Sequence, residues 1–239
     1  MDVSHSRPHK AYKVAPIRCF DTFQKAVEQV AQNSPFQVGD EPKGSYPAAD
    51  VRFGDARCLP IESNSVDMII TSPPYLNAID YLRGHKLSLV WMGHRIEDIR
   101  RLRSENIGSE ISHRLRTDGA ILNAIKVMAK SNDSDNRRMG MVRHYAYDMR
   151  NVLRECARVL KRNAHAIFVV GDSSVRGVFI RNSDGLTELA ANHGFSLVSR
   201  VVRPIAENRR YLPPPNSQQS GKQLQSRMRE EVILKFIAG

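Results

Sequence analysis

Cysteine and long apolar runs are scarce in this sequence, and each scarcity removes a class of answer. The three cysteines, Cys19, Cys58 and Cys156, are odd in number and far apart, which excludes a disulfide framework and the paired short spacings of structural zinc sites. They read as reduced thiols. The eight histidines are scattered, no set of His, Cys and carboxylates has metal-ligand spacing, and no metal is expected. No run approaches the roughly eighteen apolar residues of a membrane span, and the opening MDVSHSRPHK holds no apolar stretch of signal-peptide type. The expectation is a cytoplasmic protein with no membrane association. Acidic residues are the last shortage: 25 Asp plus Glu stand against 36 Lys plus Arg, a net charge of +11 at a pI near 9.9. Such a chain attracts polyanions, and nucleic acid is the first partner to consider. A basic surface serving only solubility is the plain alternative.

The apolar pattern divides the chain. Phe20 to Ala31 carries Phe20, Phe23, Ala26, Val27 and Val30 at helical spacing, with Asp21 as a candidate cap. Residues 33–49 hold several Pro, Gly and Ser and read as a loop. Residues 1–49 are therefore a helix and loop before a main domain over 50–239. Within that domain DVRFG (Asp50 to Gly54), VDMIIT (Val66 to Thr71) and AHAIFVV (Ala164 to Val170) read as strands. FSLVSRVV (Phe195 to Val202) and EVILKFI (Glu231 to Ile237) form a terminal antiparallel hairpin around a Pro-rich loop. Helical periodicity fills Ile79 to Met92, Ala120 to Ala129, Arg143 to Leu160 and Leu186 to Asn192. The alternation predicts an α/β fold with a mostly parallel sheet, helices on both faces and a C-terminal antiparallel hairpin. Ligands of such sheets bind beyond the carboxyl ends of the strands. Here those ends carry Gly54-Asp55, Ser72-Pro73-Pro74-Tyr75 and Gly171-Asp172-Ser173.

Ser72-Pro73-Pro74-Tyr75 follows the apolar strand directly, so it is presented at the sheet end. Its prolines remove two N–H donors and fix an extended backbone, which leaves carbonyl oxygens and the Ser72 hydroxyl as rigid acceptors. A base amino group is a poor nucleophile because its lone pair is conjugated into the ring. Acceptors that hold both its N–H bonds draw it toward tetrahedral geometry and free the lone pair. Tyr75 can stack on a base swung out of a duplex. In isolation the tetrapeptide also fits an ordinary Pro-Pro turn; the strand before it, Gly54-Asp55 upstream and the basic chain select the chemical reading.

The sequence resembles the amino-methylating DNA methyltransferases, whose catalytic motif is Asp, Asn or Ser, then Pro-Pro, then an aromatic residue. Gly54-Asp55-Ala56-Arg57 through Tyr75 to Tyr81, the strand end Val170-Gly171-Asp172-Ser173, Asn208 to Pro213 and Met228 to Val232 also resemble that family, from about Val51 to Phe236. The resemblance implies a Rossmann-like methyltransferase sheet, S-adenosyl-L-methionine as cofactor and double-stranded DNA as substrate. It implies catalytic roles for Ser72, Pro73, Pro74 and Tyr75 and a cofactor-binding strand end at Gly54, Asp55, Ala56 and Thr71, with Asp55 accepting from the adenine amino group. Within that resemblance Ser at the first motif position favours cytosine N4 over adenine N6, and the resemblance also implies a part in restriction-modification or defence.

One family feature is missing. Members carry a Phe-x-Gly-x-Gly loop on the first strand, yet no two of the fourteen glycines here stand in a Gly-x-Gly arrangement. The sheet is thus expected to lack its first strands, and a second protein subunit to supply that loop, as in a split enzyme. The alternatives are a catalytically inactive DNA-binding or scaffold subunit and an RNA-base methyltransferase.

Basic residues concentrate in a helical, polar insertion at about 85–150. Arg100, Arg101 and Arg103 are taken there as phosphate contacts, against a reading in which they pair with nearby acids such as Glu97 and Asp98. Arg209 and Arg210, before the last strand, are candidates for guanine or phosphate. Trp91, with Leu87, Leu89 and Met92, reads as helix core. Asp80 and Asp172 either line the pocket or cap helices.

Overall fold

The computed structural model describes residues 18–33, 49–76, 82, 85–107, 117–129, 136–175, 178–205 and 230–239. Asp80, Arg209 and Arg210 lie outside the described residues, as do Asn208 and Tyr211. The elements run α1 (Cys19–Gln32), β1 (Val66–Thr71), α2 (Lys86–Trp91), α3 (Ile96–Glu105), α4 (Gly119–Ala129), α5 (Asn136–Val159), β2 (Leu160–Val170), β3 (Ser173–Val175), β4 (Val178–Ile180), α6 (Asn182–Ala191), β5 (Phe195–Pro204) and β6 (Glu230–Ala238).

Four strands form one mixed sheet in the order β1-β2-β6-β5, and β3 pairs with β4 in a small ribbon. β1 lies parallel to β2, with Ile70 opposite Ile167 and Thr71 opposite Phe168. β6 runs antiparallel to both β2 and β5, so the α/β class and the C-terminal hairpin are as expected, with one parallel ladder among three. Asp50 to Gly54 is not a strand: the only regular pairing there is an isolated bridge between Asp55 and Cys58.

Alternation in β2 and β6 sorts the two faces. Ala166, Phe168, Val170, Val232, Leu234 and Phe236 are all buried against α4, α5 and α6. Phe168 and Phe236 meet edge-on at 6.0 Å, and each fully buried side chain of this size contributes about 1.5–3 kcal/mol. The opposite face carries Ile167, Val169, Ile233 and Ile237, only half-buried, with Met68 50%, Ile70 69% and Val201 52% exposed. Helices therefore cover one face rather than two among the described residues. The outer edge of β1 has no partner strand there either.

Two glycines shape the covered face, one by close packing and one by its backbone conformation. Gly185 of α6 lies against Met128 of α4, where an added Cβ would come 2.3 Å from Met128 Cγ. Gly194, at φ +81°, turns the chain from α6 into β5, a left-handed conformation that favours glycine.

The segment leading into β1 is tied to α5. Arg158 donates to the carbonyls of Leu59 (3.0 Å) and Ile61 (2.9 Å) and to Glu155 (2.8 Å), while Glu155 accepts from the Leu59 N–H (3.0 Å). Arg158 beside it holds the Glu155 carboxyl below the usual carboxylate range.

α1 forms where its spacing predicts, but Phe20 is 89% and Val30 72% exposed. Asp21 pairs with Arg18 at 3.4 Å within the first turn and is not the cap, which is Arg18. Trp91 is 91% and Met92 72% exposed, so this segment is not core. α2 is only six residues long and packs chiefly against α3, too short to bury an apolar stripe. No described helix is long and apolar enough to cross a membrane.

Candidate active site

The carboxyl ends of β1 and β2 meet the start of β6, and three strand ends converge there. Thr71 closes β1, and Pro73 is buried while Ser72 and Pro74 stay exposed. Leu76, fully buried, anchors the far side of the tetrapeptide in the core. This burial of Pro73 and Leu76 fixes a segment whose Ser72 hydroxyl stays accessible.

Ser72 Oγ lies 3.2 Å from the Val169 carbonyl oxygen and 3.2 Å from the Tyr75 hydroxyl. Tyr75 in turn donates to Glu231 Oε1 at 3.3 Å, and Arg203 donates to Glu231 Oε2. Glu231 and Arg203 face each other across the β5–β6 ladder. Neither was expected from the sequence: residue 231 lies 156 positions from residue 75, and no local pattern reveals a cross-sheet partner.

Behind this group Tyr145 of α5 is 2% exposed, and its hydroxyl makes no hydrogen bond among the described residues. Burial, with Tyr75 and Asp172 adding negative potential, pushes its ionisation up. Asp172 resolves as a helix-start contact, its Oδ1 accepting the Ser183 N–H at 2.9 Å. Asn182 donates to the Gly171 carbonyl (2.9 Å) and to Ser173 Oγ (3.1 Å), locking the turn that leaves β2.

Gly54, Asp55 and Ala56 sit on a turn before β1. The Asp55 carboxylate accepts from the Arg57 backbone N–H (2.9 Å), Nε (3.1 Å) and Nη2 (2.8 Å), and this arginine holds it below the usual carboxylate range. Arg57 reaches on to the Glu105 carbonyl (2.8 Å) and to buried Asp148 (2.9 Å), which faces His144 Nε2 at 3.5 Å. Arg57 thus pins the Asp55 turn onto α5. A carboxylate offers about four acceptor positions, and Arg57 approaches all of them, because its Nε also lies 3.2 Å from the second Asp55 oxygen. The Asp55 side chain is 48% exposed.

Of the arginines singled out for DNA, Arg100 is exposed and Arg101 pairs with Asp98 at 3.2 Å; Arg103 is half-buried in the last turn of α3.

No family model matches the chain. It is 28% identical over 180 residues to the type II methyltransferase M.AvaI of Nostoc sp., which covers 66% of this chain and 37% of that protein. It is 26% identical over 164 residues to the type II methyltransferase M.BsoBI of Geobacillus stearothermophilus, covering 56% of this chain and 32% of that protein. Among solved structures, PvuII DNA methyltransferase (cytosine-N4-specific) superposes with a TM-score of 0.40 at 12% identity, over 77% of this chain and 47% of that one. A DNA modification methylase from Thermus thermophilus does so at 0.38 and 17%, over 77% and 50%. The chain is similar in sequence to type II methyltransferases, and spans about a third of the length of the curated relatives it matches.

Proposed function

We propose that this chain is the base-binding, catalytic part of an S-adenosyl-L-methionine-dependent DNA methyltransferase acting on an exocyclic amino group, cytosine N4 before adenine N6. The supporting observation is the acceptor set at the end of β1. Ser72 Oγ is exposed, flanked by a buried Pro73 and fixed by contacts to Val169 and Tyr75. In this reading the Ser72 hydroxyl and the Pro73 carbonyl accept the two N–H bonds of the amino group, and Tyr75 holds the flipped base by its ring face. S-adenosyl-L-methionine supplies the sulfonium methyl, and Asp55 is assigned to its adenine amino group. No covalent link to the protein is needed.

We assign the catalytic unit to residues 50–239 and DNA contact to the basic stretch at about 85–150 with Arg100, Arg101 and Arg103, joined by Arg209 and Arg210. The glycine-rich cofactor loop is assigned to a second polypeptide. Support comes from the apolar face made by Met68, Ile70, Ile167 and Val169 and from the open edge of β1, the strand that carries Ser72. Bare apolar faces and free edges are association surfaces.

The test is to isolate the full chain, tagged, with whatever it binds in its host, and to follow tritiated methyl transfer from S-adenosyl-L-methionine into DNA. Digestion and mass spectrometry of the nucleosides should yield N4-methylcytosine. Ser72→Ala should abolish transfer while DNA binding persists. Undiminished transfer by Ser72→Ala would exclude the assigned chemistry, and N6-methyladenine as the product would reassign the base.

A further inference from the structure

The turn between α2 and α3 holds its largest side chains out in solvent. Trp91, the chain's single tryptophan, and Met92 beside it are both exposed, yet the backbone beneath them is fixed. The Met92 N–H donates to the Ser88 carbonyl (2.9 Å), Gly93 to Val90 (3.0 Å) and His94 to Leu89 (3.0 Å). The last two bonds close the helix end around a left-handed Gly93 at φ +92°. Below the turn, α3 is anchored by buried Ile99 and by Arg57, which donates to the Glu105 carbonyl (2.8 Å) and so ties this hairpin to the Asp55 segment ahead of β1. A large flat ring on a rigid turn loses little freedom when it stacks.

The surrounding charge selects the partner. Lys86, Arg95, Arg100 and Arg101 lie on the two helices and the turn between them. Arg95 pairs with Glu97 at 3.1 Å, both side chains being well exposed, and such a pair is worth little in water, so a phosphate can replace the carboxylate. Interfaces between proteins are poor in charge near their centre, whereas those with DNA set a few inserted apolar side chains among cations. We propose that Trp91, backed by Met92, is a wedge that enters DNA and stacks in the space left by a base swung out of the duplex, with Arg95 and Arg100 on the flanking phosphates. This deepens, and rests on, the DNA methyltransferase reading above. Chemistry on a base needs that base outside the stack, and the gap it leaves costs stacking on both sides. An indole ring is large enough to restore both contacts.

The experiment uses the full chain and two duplexes of one sequence, one intact and one with a single abasic site, followed by fluorescence anisotropy of a labelled strand. The abasic duplex offers the gap without the cost of extruding a base. It should bind about tenfold tighter, the usual worth of one base stacked on an aromatic ring, and should quench Trp91 emission. Trp91→Ala should lose this preference while keeping its affinity for the intact duplex, and Trp91→Phe should keep part of it. Equal affinity of the unaltered chain for the two duplexes, a preference retained in Trp91→Ala, or unquenched Trp91 emission would each overturn the inference and leave the methyltransferase reading standing. Emission that shifts to the blue with protein concentration alone would assign the turn to a second copy of the chain instead. Binding of neither duplex would overturn the assignment of DNA contact to this chain, and the inference with it.

Discussion

Replacing Arg57 by alanine probes how the Asp55 turn is held. Arg57 Nη1 lies 2.9 Å from the Asp148 carboxylate, whose side chain is 2% exposed; the arginine itself is 25% exposed. Removing one partner of a buried pair costs more than the pair is worth, about 3–5 kcal/mol, because a charge is left behind in a poorly solvated place. His144 Nε2 at 3.5 Å remains beside Asp148 and lowers that figure. We therefore expect a loss of about 2–3 kcal/mol for Arg57→Ala, which at ordinary urea sensitivities moves the unfolding midpoint down by roughly 1 M. The second half of the prediction is the decisive one. In Arg57→Ala with Asp148→Asn no charge is stranded, so the double variant should be more stable than Arg57→Ala alone. The assay is urea unfolding of all four proteins by far-UV circular dichroism at pH 7.5. Additive losses, or a single variant within about 0.5 kcal/mol of the parent, would refute the stranded-charge account.

Other consequences are open to direct test. Gly185→Ala drives a methyl group into Met128 and should destabilise by about 1–3 kcal/mol despite alanine's better helix propensity, seen as a lower thermal midpoint. Burial, and secondarily Arg150 and Arg154, hold His193 below the ordinary imidazole range. The unfolded chain then takes up that proton first. Its contribution to stability is full above about pH 6.5 and is lost as pH falls from there through the lower folded-state value, and His193→Gln should flatten the fall in urea midpoint between pH 7.5 and 5.5. Burial pushes the Cys156 thiol up to about 12, so native protein treated with iodoacetamide should show label on exposed Cys58 and none on Cys156 by peptide mass spectrometry.

The elements visible in the sequence were those with a strong internal period. VDMIIT and AHAIFVV are strands because β-branched residues alternate or run together, and the helix at 119–129 follows from its apolar spacing. Asp50 to Gly54 has strand-like alternation, but no neighbour pairs with it among the described residues, and pairing is what makes a strand. Trp91 illustrates the opposite failure. Its segment has apolar residues, yet whether they are buried depends on what packs against them, which spacing does not encode. Candidate site residues divide the same way. Ser72 to Tyr75 stand out in the sequence because the motif is contiguous in the chain. Glu231, Arg203 and Asp148 were not, since each enters through a partner dozens of residues away.

Among the described residues the strand that ends in Ser72 is joined to the sheet on one side only, by its ladder to β2, whereas β2 and β6 are each flanked by neighbours on both sides. Amide hydrogens of β1 should accordingly exchange with solvent faster than those of β2 and β6, since local opening there breaks a single ladder. Ser72 then sits at the end of an edge strand, and anything that added a strand beside it would slow that exchange and steady Ser72 at a distance.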